Sequence, residues 1–368
     1  METEPLVAAV PTDVAKRPRA LPALTGVRIF AAMAVLLFHY GAGFSDRIHA
    51  PKLVSHFLHN GFLGVTLFFV LSGFIMTYAH FSQAFPASAT GRFYWARVAR
   101  IYPVYALSLV LALPVLTEPL TIPHALAVLT MTQSWTPAAS HLGFSWVMQA
   151  WTLSVEAAFY ILFPFYWPFV RRLDRFGTIV LALACAVFIV AFAVPNVSPG
   201  GTVPFLGPDA KIPIPVFRMA EFIYGMALCQ LFMRWPLMSA DSPIGPLLAN
   251  AAEIALALGM VVVMATADDP HAKALFTVLT GLFIVTLAYG AGALSRLMST
   301  RPMLLLGGAS YGIYILQQPM HSLCTALIRA PFDLVLSPLA TIAGSIAVFL
   351  YFEQPAQRLL MRLVRKQR

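Results

Sequence analysis

Arg28 and His39 lie eleven residues apart in the apolar stretch LTGVRIFAAMAVLLFHY, residues 24–40. At 3.6 residues per turn that is close to three whole turns. Both side chains therefore leave one helical face, about 16 Å apart along the axis. An ionisable group inside an apolar helix is costly unless it meets a partner or a wet cavity, so two on one face point to a buried polar track joining two depths. The competing reading is positional: Arg28 snorkels to headgroups and His39 marks the far interface.

Other residues could serve such a track. Ser72 and Gly73 interrupt GFLGVTLFFVLSGFIMTY, where small residues let helix backbones approach and also leave room for a ligand. In RFYWARVARIYPVY, Arg97 and Arg100 share a face, with Arg92 a turn and a half earlier. They read either as topology signals or as a phosphate clamp, since guanidinium groups bind phosphate bidentately. Glu156, in WTLSVEAAFYILFPFYW, falls a few residues inside the outer end of its segment, at the depth expected for His39. A carboxylate there would orient a histidine and raise its basicity, as a general base requires; a buried structural pair is the alternative. Arg218 and Glu221, three apart, are placed to neutralise each other, and Glu253 and Glu353 fall near helix ends.

These residues need a membrane scaffold. The chain is 59% hydrophobic and only 11% charged, with a mean hydropathy of +0.78, against roughly 25% charged in a soluble domain. The expected fold is all-α, a polytopic membrane bundle of about ten spans, each needing roughly 20 mostly apolar residues. The candidates are 24–40, 62–79, 101–116, 151–170, 176–194, 214–233, 248–266, 273–291, 303–328 and 335–352. Residues 122–135 are apolar but short and read as re-entrant or interfacial. The loop at 195–213, rich in Pro and Gly, should be irregular.

Loop cations set the topology. With ten spans, the Lys16, Arg17 and Arg19 group, the Arg92–Arg100 and Arg171–Arg175 groups, Arg234, Arg296, Arg301 and the cations from Arg358 onward share the cytoplasmic side with both chain ends. Arg47, Lys52, Lys211, Lys273 and Arg329 fall outside. The domains expected are a mobile cytoplasmic tail at 1–20, one transmembrane domain at 21–356 and a basic cytoplasmic tail at 357–368. The formal charge of +9 sits between apolar segments, so nucleic acid is not a partner. Cys185, Cys229 and Cys324 lack metal-ligand or disulfide spacing, so no metal is expected.

Six motifs in order resemble the membrane acyltransferase-3 family over residues 24–355. They are LTGVR at 24–28 with His39, GVTLFFVLSGF at 64–74, ARVARIYPVY at 96–105, WTLSVEAAFYILFP at 151–164, GGASYGIYILQQP at 307–319 and FEQP at 352–355. The resemblance implies an integral bacterial inner-membrane enzyme that passes an acyl group from cytoplasmic acyl-CoA, acetyl-CoA first, to a hydroxyl, commonly of a surface polysaccharide or other carbohydrate. It makes His39 the catalytic histidine, as general base or transient acyl carrier, with Arg28 its paired arginine and Arg97 and Arg100 the RxxR motif. Glu156 and Glu353 match family carboxylates, either of which could assist His39, with depth favouring Glu156. The donor is expected against Arg97, Arg100, Arg28 and Ser72. A homo-oligomer stays open.

Three features depart from the family pattern. Thr25 replaces the acidic residue usual before the first Gly, and Gln317 stands where a histidine is often found, which disfavours a second-histidine mechanism. No hydrolase-like domain is expected after residue 368, so the membrane domain is expected to act alone or hand the acyl group to a partner. The alternative class is a secondary transporter using Arg28, His39, Arg218 and Glu221 as an ion relay, although no internal repeat supports it.

Overall fold

The computed structural model describes residues 20–82, 87–116, 121–135, 146–192, 213–236, 245–327 and 332–365. The tail at 1–19, the loop at 195–212, with Lys211, and Arg329 and residues 366–368 lie outside them. Among the described residues there is no strand. The helices are α1 (Pro22–Gly26), α2 (Arg28–Arg47), α3 (Lys52–His59), α4 (Gly64–Ala79), α5 (Ala87–Ala112), α6 (Ile122–Leu129), α7 (Trp151–Val170) and α8 (Arg175–Ala191). There follow α9 (Ile214–Arg234), α10 (Gly245–Thr266), α11 (Pro270–Tyr289), α12 (Ala293–Met298), α13 (Arg301–Leu327), α14 (Asp333–Val348) and α15 (Gln354–Arg365).

Eight helical segments among the described residues are long and apolar enough to cross a membrane. The remaining two expected spans are helices as well. Helix α8 has 17 residues. Helix α13 has 27 but carries Ser310 and Gln317, which it buries inside the bundle. Helix α6, with 8 residues, covers only about 12 Å and is too short to cross. It is held to α5 by Tyr105 Oη, which donates to the Val128 carbonyl at 2.7 Å.

Small residues set the closest helix crossings. A Cβ on Gly73 of α4 would strike the Phe222 carbonyl of α9, and one on Gly225 of α9 would strike the Val70 carbonyl of α4. Glycine at both positions lets the two backbones touch. Gly307 does the same for α13 against the Thr25 carbonyl, which fixes α1, just ahead of α2, beside the first turns of α13. Helix α7 is locked in by aromatic packing, with Phe159 stacked on Phe222 at 4.7 Å between centroids and Phe69 edge-on to Phe159 at 5.3 Å.

The carboxyl-terminal end differs from expectation. Pro355 lacks an N–H and would crowd the carbonyl four residues back, which would ordinarily stop a helix. Here Phe349–Glu353 forms a π turn that widens the helix just before the proline. The chain then continues as α15 and packs on α5, where Trp95 Nε1 donates to the Leu360 carbonyl at 3.0 Å. Residues 357–365 are thus a docked helix rather than a separate tail.

Candidate functional site

Helices α2, α4, α5, α7 and α13 enclose a cavity of about 190 Å³. Arg28 enters it from the first turn of α2, Ser72 from α4, Arg97 and Arg100 from α5, Glu156 and Tyr160 from α7, and Tyr311 and Tyr314 from α13. Apolar walls of Val65, Phe68, Phe69 and Leu153 hold these polar groups in a low-dielectric setting.

Three guanidinium groups dominate the cavity. Arg97 lies 5.3 Å from the Phe93 centroid and 5.6 Å from that of Tyr160, and its buried Nε has no hydrogen-bond partner among the described residues. Arg28 lies 5.8 Å from the Phe68 ring and interacts electrostatically with Arg100, Glu156 and Glu353. The Glu156 carboxylate accepts the Tyr160 hydroxyl one turn along α7. Glu353, 7% exposed, approaches from the π turn and interacts with Arg100 and Arg28 without lining the cavity. Arg28, Arg97 and Arg100 against these two carboxylates leave the site with a net positive charge. Guanidinium groups gathered around a recess suit an anion such as phosphate. Arg92 is exposed and takes no part.

His39 stands apart from this cavity. Arg28, Ala32, Val35 and His39 fall on one stripe of α2, at spacings of four, three and four residues. Ala32 and Val35 are 0% and 2% exposed, so the stripe faces the bundle interior. Phe30, Leu37 and Phe44, on the opposite side of α2, are all exposed and form its outward face. His39, at the far end of this stripe, is exposed. Its ring meets Phe38 edge-on at 4.9 Å. Next to it, the Tyr40 hydroxyl donates to the Gln317 carbonyl at 2.8 Å and tethers this end of α2 to α13.

Two sequence expectations are corrected. Glu156 does not pair with His39 but belongs with Arg28, Tyr160 and the α5 arginines. Helix α7 begins inside the bundle, behind a turn at Met148–Ala150 with Gln149 buried, so Glu156 lies deeper than its place in the sequence suggests. Glu253 is not at a helix end but within α10, where it is fully buried. It accepts from the backbone N–H groups of Leu294 and Ser295 at 2.8 and 3.2 Å, capping α12. The Arg218–Glu221 pair forms as expected, buried beneath Phe69 and Trp151 and away from the cavity lining. It is not placed to relay ions between Arg28 and His39.

Sequence reasoning passed over Tyr160, Tyr311 and Tyr314. The signal was present: Tyr160 follows Glu156 at i+4, and Tyr311 and Tyr314 share a face at i, i+3 within an apolar helix. Among the described residues no group of His, Cys, Asp and Glu is arranged to hold a metal.

A family model described as an acyltransferase domain matches residues 21–352. Acyltransferase MdmB of Streptomyces mycarofaciens is 32% identical over 228 residues, covering 56% of this chain and 56% of its own. O-acetyltransferase OatA of Staphylococcus aureus is 23% identical, covering 82% of this chain and 51% of its own. Peptidoglycan O-acetyltransferase OatA of Listeria monocytogenes is 23% identical, covering 92% and 56%. The chain spans about half the length of these curated relatives. No solved structure matches it.

Proposed function

The chain belongs to the acyltransferase-domain family matched over residues 21–352, and on that premise we propose that this multi-pass membrane acyltransferase moves an acetyl group from cytoplasmic acetyl-CoA to a carbohydrate hydroxyl. One observation carries the reading. A single inward stripe of α2 has Arg28 in a three-arginine cavity at one end and an accessible His39 at the other. Arg28, Arg97 and Arg100 would hold the donor's phosphates, and the slender pantetheine arm would run along the stripe towards His39. An acyl-CoA headgroup cannot enter hydrocarbon, so a polar recess with a lined path is what such chemistry needs in a membrane.

At the far end, His39 would take the proton of the acceptor hydroxyl as its oxygen attacks the thioester carbonyl. The C–S bond then breaks and the thiol leaves with a proton. Transient acylation of His39 followed by transfer to the acceptor is the other route open to the same residue. Glu156 and Glu353 serve the donor end, where they hold the arginines in place. Ser72, beside the tight α4–α9 crossing, contributes a hydroxyl to the cavity wall.

The loop-cation asymmetry favours both chain ends and the arginine cavity on the cytoplasmic side of a bacterial inner membrane. The names of the OatA relatives support an acetyl group and a glycan acceptor. Mass spectrometry of surface polysaccharide and glycosylated metabolites, with and without the gene, tests the reading. A glycan heavier by one acetyl group only when the gene is present is expected. Identical glycans, with no acetyl-CoA consumed by the purified protein, would overturn it.

A further inference from the structure

We propose that the exposed face of α15 is a docking surface for anionic phospholipid in the leaflet at the Arg97 end of the bundle. The segment reads QPAQRLLMRLVRKQR, with Arg358, Arg362, Arg365, Lys366 and Arg368 and no acidic residue after Glu353. It divides into three sides. Gln357, Leu360 and Met361 are partly buried on the side that meets α5, where Trp95 is bonded to the Leu360 carbonyl. Arg358 and Arg362, one turn apart, are exposed on a second side. Leu359 and Leu363, also one turn apart and 60% and 51% exposed, make the third.

An apolar pair beside a basic pair on one helix is the pattern of an interfacial helix, with its leucines at the acyl boundary and its arginines among headgroups. The position agrees. Helix α15 forms the carboxyl-terminal end of the apolar candidate span Val335–Leu363, and its basic residues belong where such a span would meet the headgroups. Charge complementarity selects an anionic lipid over a zwitterionic one. A nucleotide phosphate fits less well. Neither arginine lines the cavity, and Arg358 Nη2 donates instead to Gln354 Oε1 at 3.0 Å. A phosphate recess would also not set bare leucines beside its arginines.

Docking would bear on the site, because the same helix follows directly from the π turn that presents Glu353 to Arg28 and Arg100. The test is native mass spectrometry of the full chain from mixed micelles of phosphatidylglycerol and phosphatidylcholine. Wild type is expected to retain phosphatidylglycerol selectively. Arg358→Gln with Arg362→Gln should lower that retention on the order of tenfold, while Arg171→Gln with Arg172→Gln, a basic pair elsewhere, leaves it intact. Equal retention by wild type and the Arg358/Arg362 variant would overturn the proposal, as would displacement of the lipid from wild type by acetyl-CoA. If the glutamine variant does not fold, wild type and Arg358→Lys with Arg362→Lys decide: wild-type retention must fall as salt rises, and the lysine variant must retain the lipid; failure of either would overturn the proposal.

Discussion

The Tyr160 hydroxyl donates to the Glu156 carboxylate one helical turn away, and the pair faces Arg97, whose guanidinium lies over the Tyr160 ring. This places Glu156 with the arginine cavity and not with His39. A carboxylate in an anion site weakens anion binding while it holds the cations in position, so the two possible roles of Glu156 predict opposite kinetics.

Glu156→Gln is therefore expected to change acyl-CoA affinity by about tenfold, the equivalent of roughly 1.4 kcal/mol, and to leave the pH profile of transfer unchanged. Titration of donor binding and a pH–rate series on the purified variant check this. A shifted acid limb in the pH–rate profile with unaltered donor affinity would mean that Glu156 acts on the histidine after all.

The α4–α9 crossing makes a second prediction. Gly73→Ala places a methyl group against the Phe222 carbonyl, a backbone atom that cannot rotate away. Overpacking of this kind costs about 1–3 kcal/mol. Thermal unfolding in detergent should show a lowered midpoint, and donor affinity should fall because Ser72 is displaced with the helix. Gly43→Ala, which meets open space, is the comparison and should unfold near the wild-type midpoint.

His80, just past the end of α4, predicts a pH dependence of stability. Burial against Phe93 and Phe163 holds its pKa below the ordinary value, the Arg97 charge adds to this, and the hydrogen bond to the Met76 carbonyl opposes it. A histidine with a depressed folded pKa binds fewer protons than in the unfolded chain. Stability should then fall as pH drops below about 6.5, the unfolded value. Unfolding midpoints measured at neutral and acidic pH should diverge in wild type and diverge less in His80→Gln. An equal acid loss in both proteins would assign the effect to other groups.

The spans were legible because hydropathy reports which segments avoid water, and the Arg28–His39 face followed from helical periodicity alone. What hydropathy could not supply was depth and rotation. The sequence puts Glu156 too shallow because the start of an apolar run reads as the membrane boundary, whereas Gln149 and Thr152 are already buried in the bundle. Residues 357–365 read as a tail because Pro355 ordinarily ends a helix, and nothing local announces that a π turn will absorb it. The tyrosines of the cavity were visible only as helical spacings, and their meeting with the arginines depends on how α13 and α7 pack.

In the proposed function labour divides along one stripe of α2, with donor binding at Arg28, Arg97 and Arg100 and transfer at His39. Acyl-CoA affinity and acyl transfer, measured on the same proteoliposomes of His39→Ala and of Arg97→Ala with Arg100→Ala, test it most directly. The arginine variant should lose roughly tenfold or more in donor affinity per charged hydrogen bond removed, with the difference shrinking at high salt. His39→Ala should bind the donor as wild type does and transfer nothing. Wild-type transfer by a stably inserted His39→Ala, or wild-type donor affinity in the arginine variant, would contradict the account.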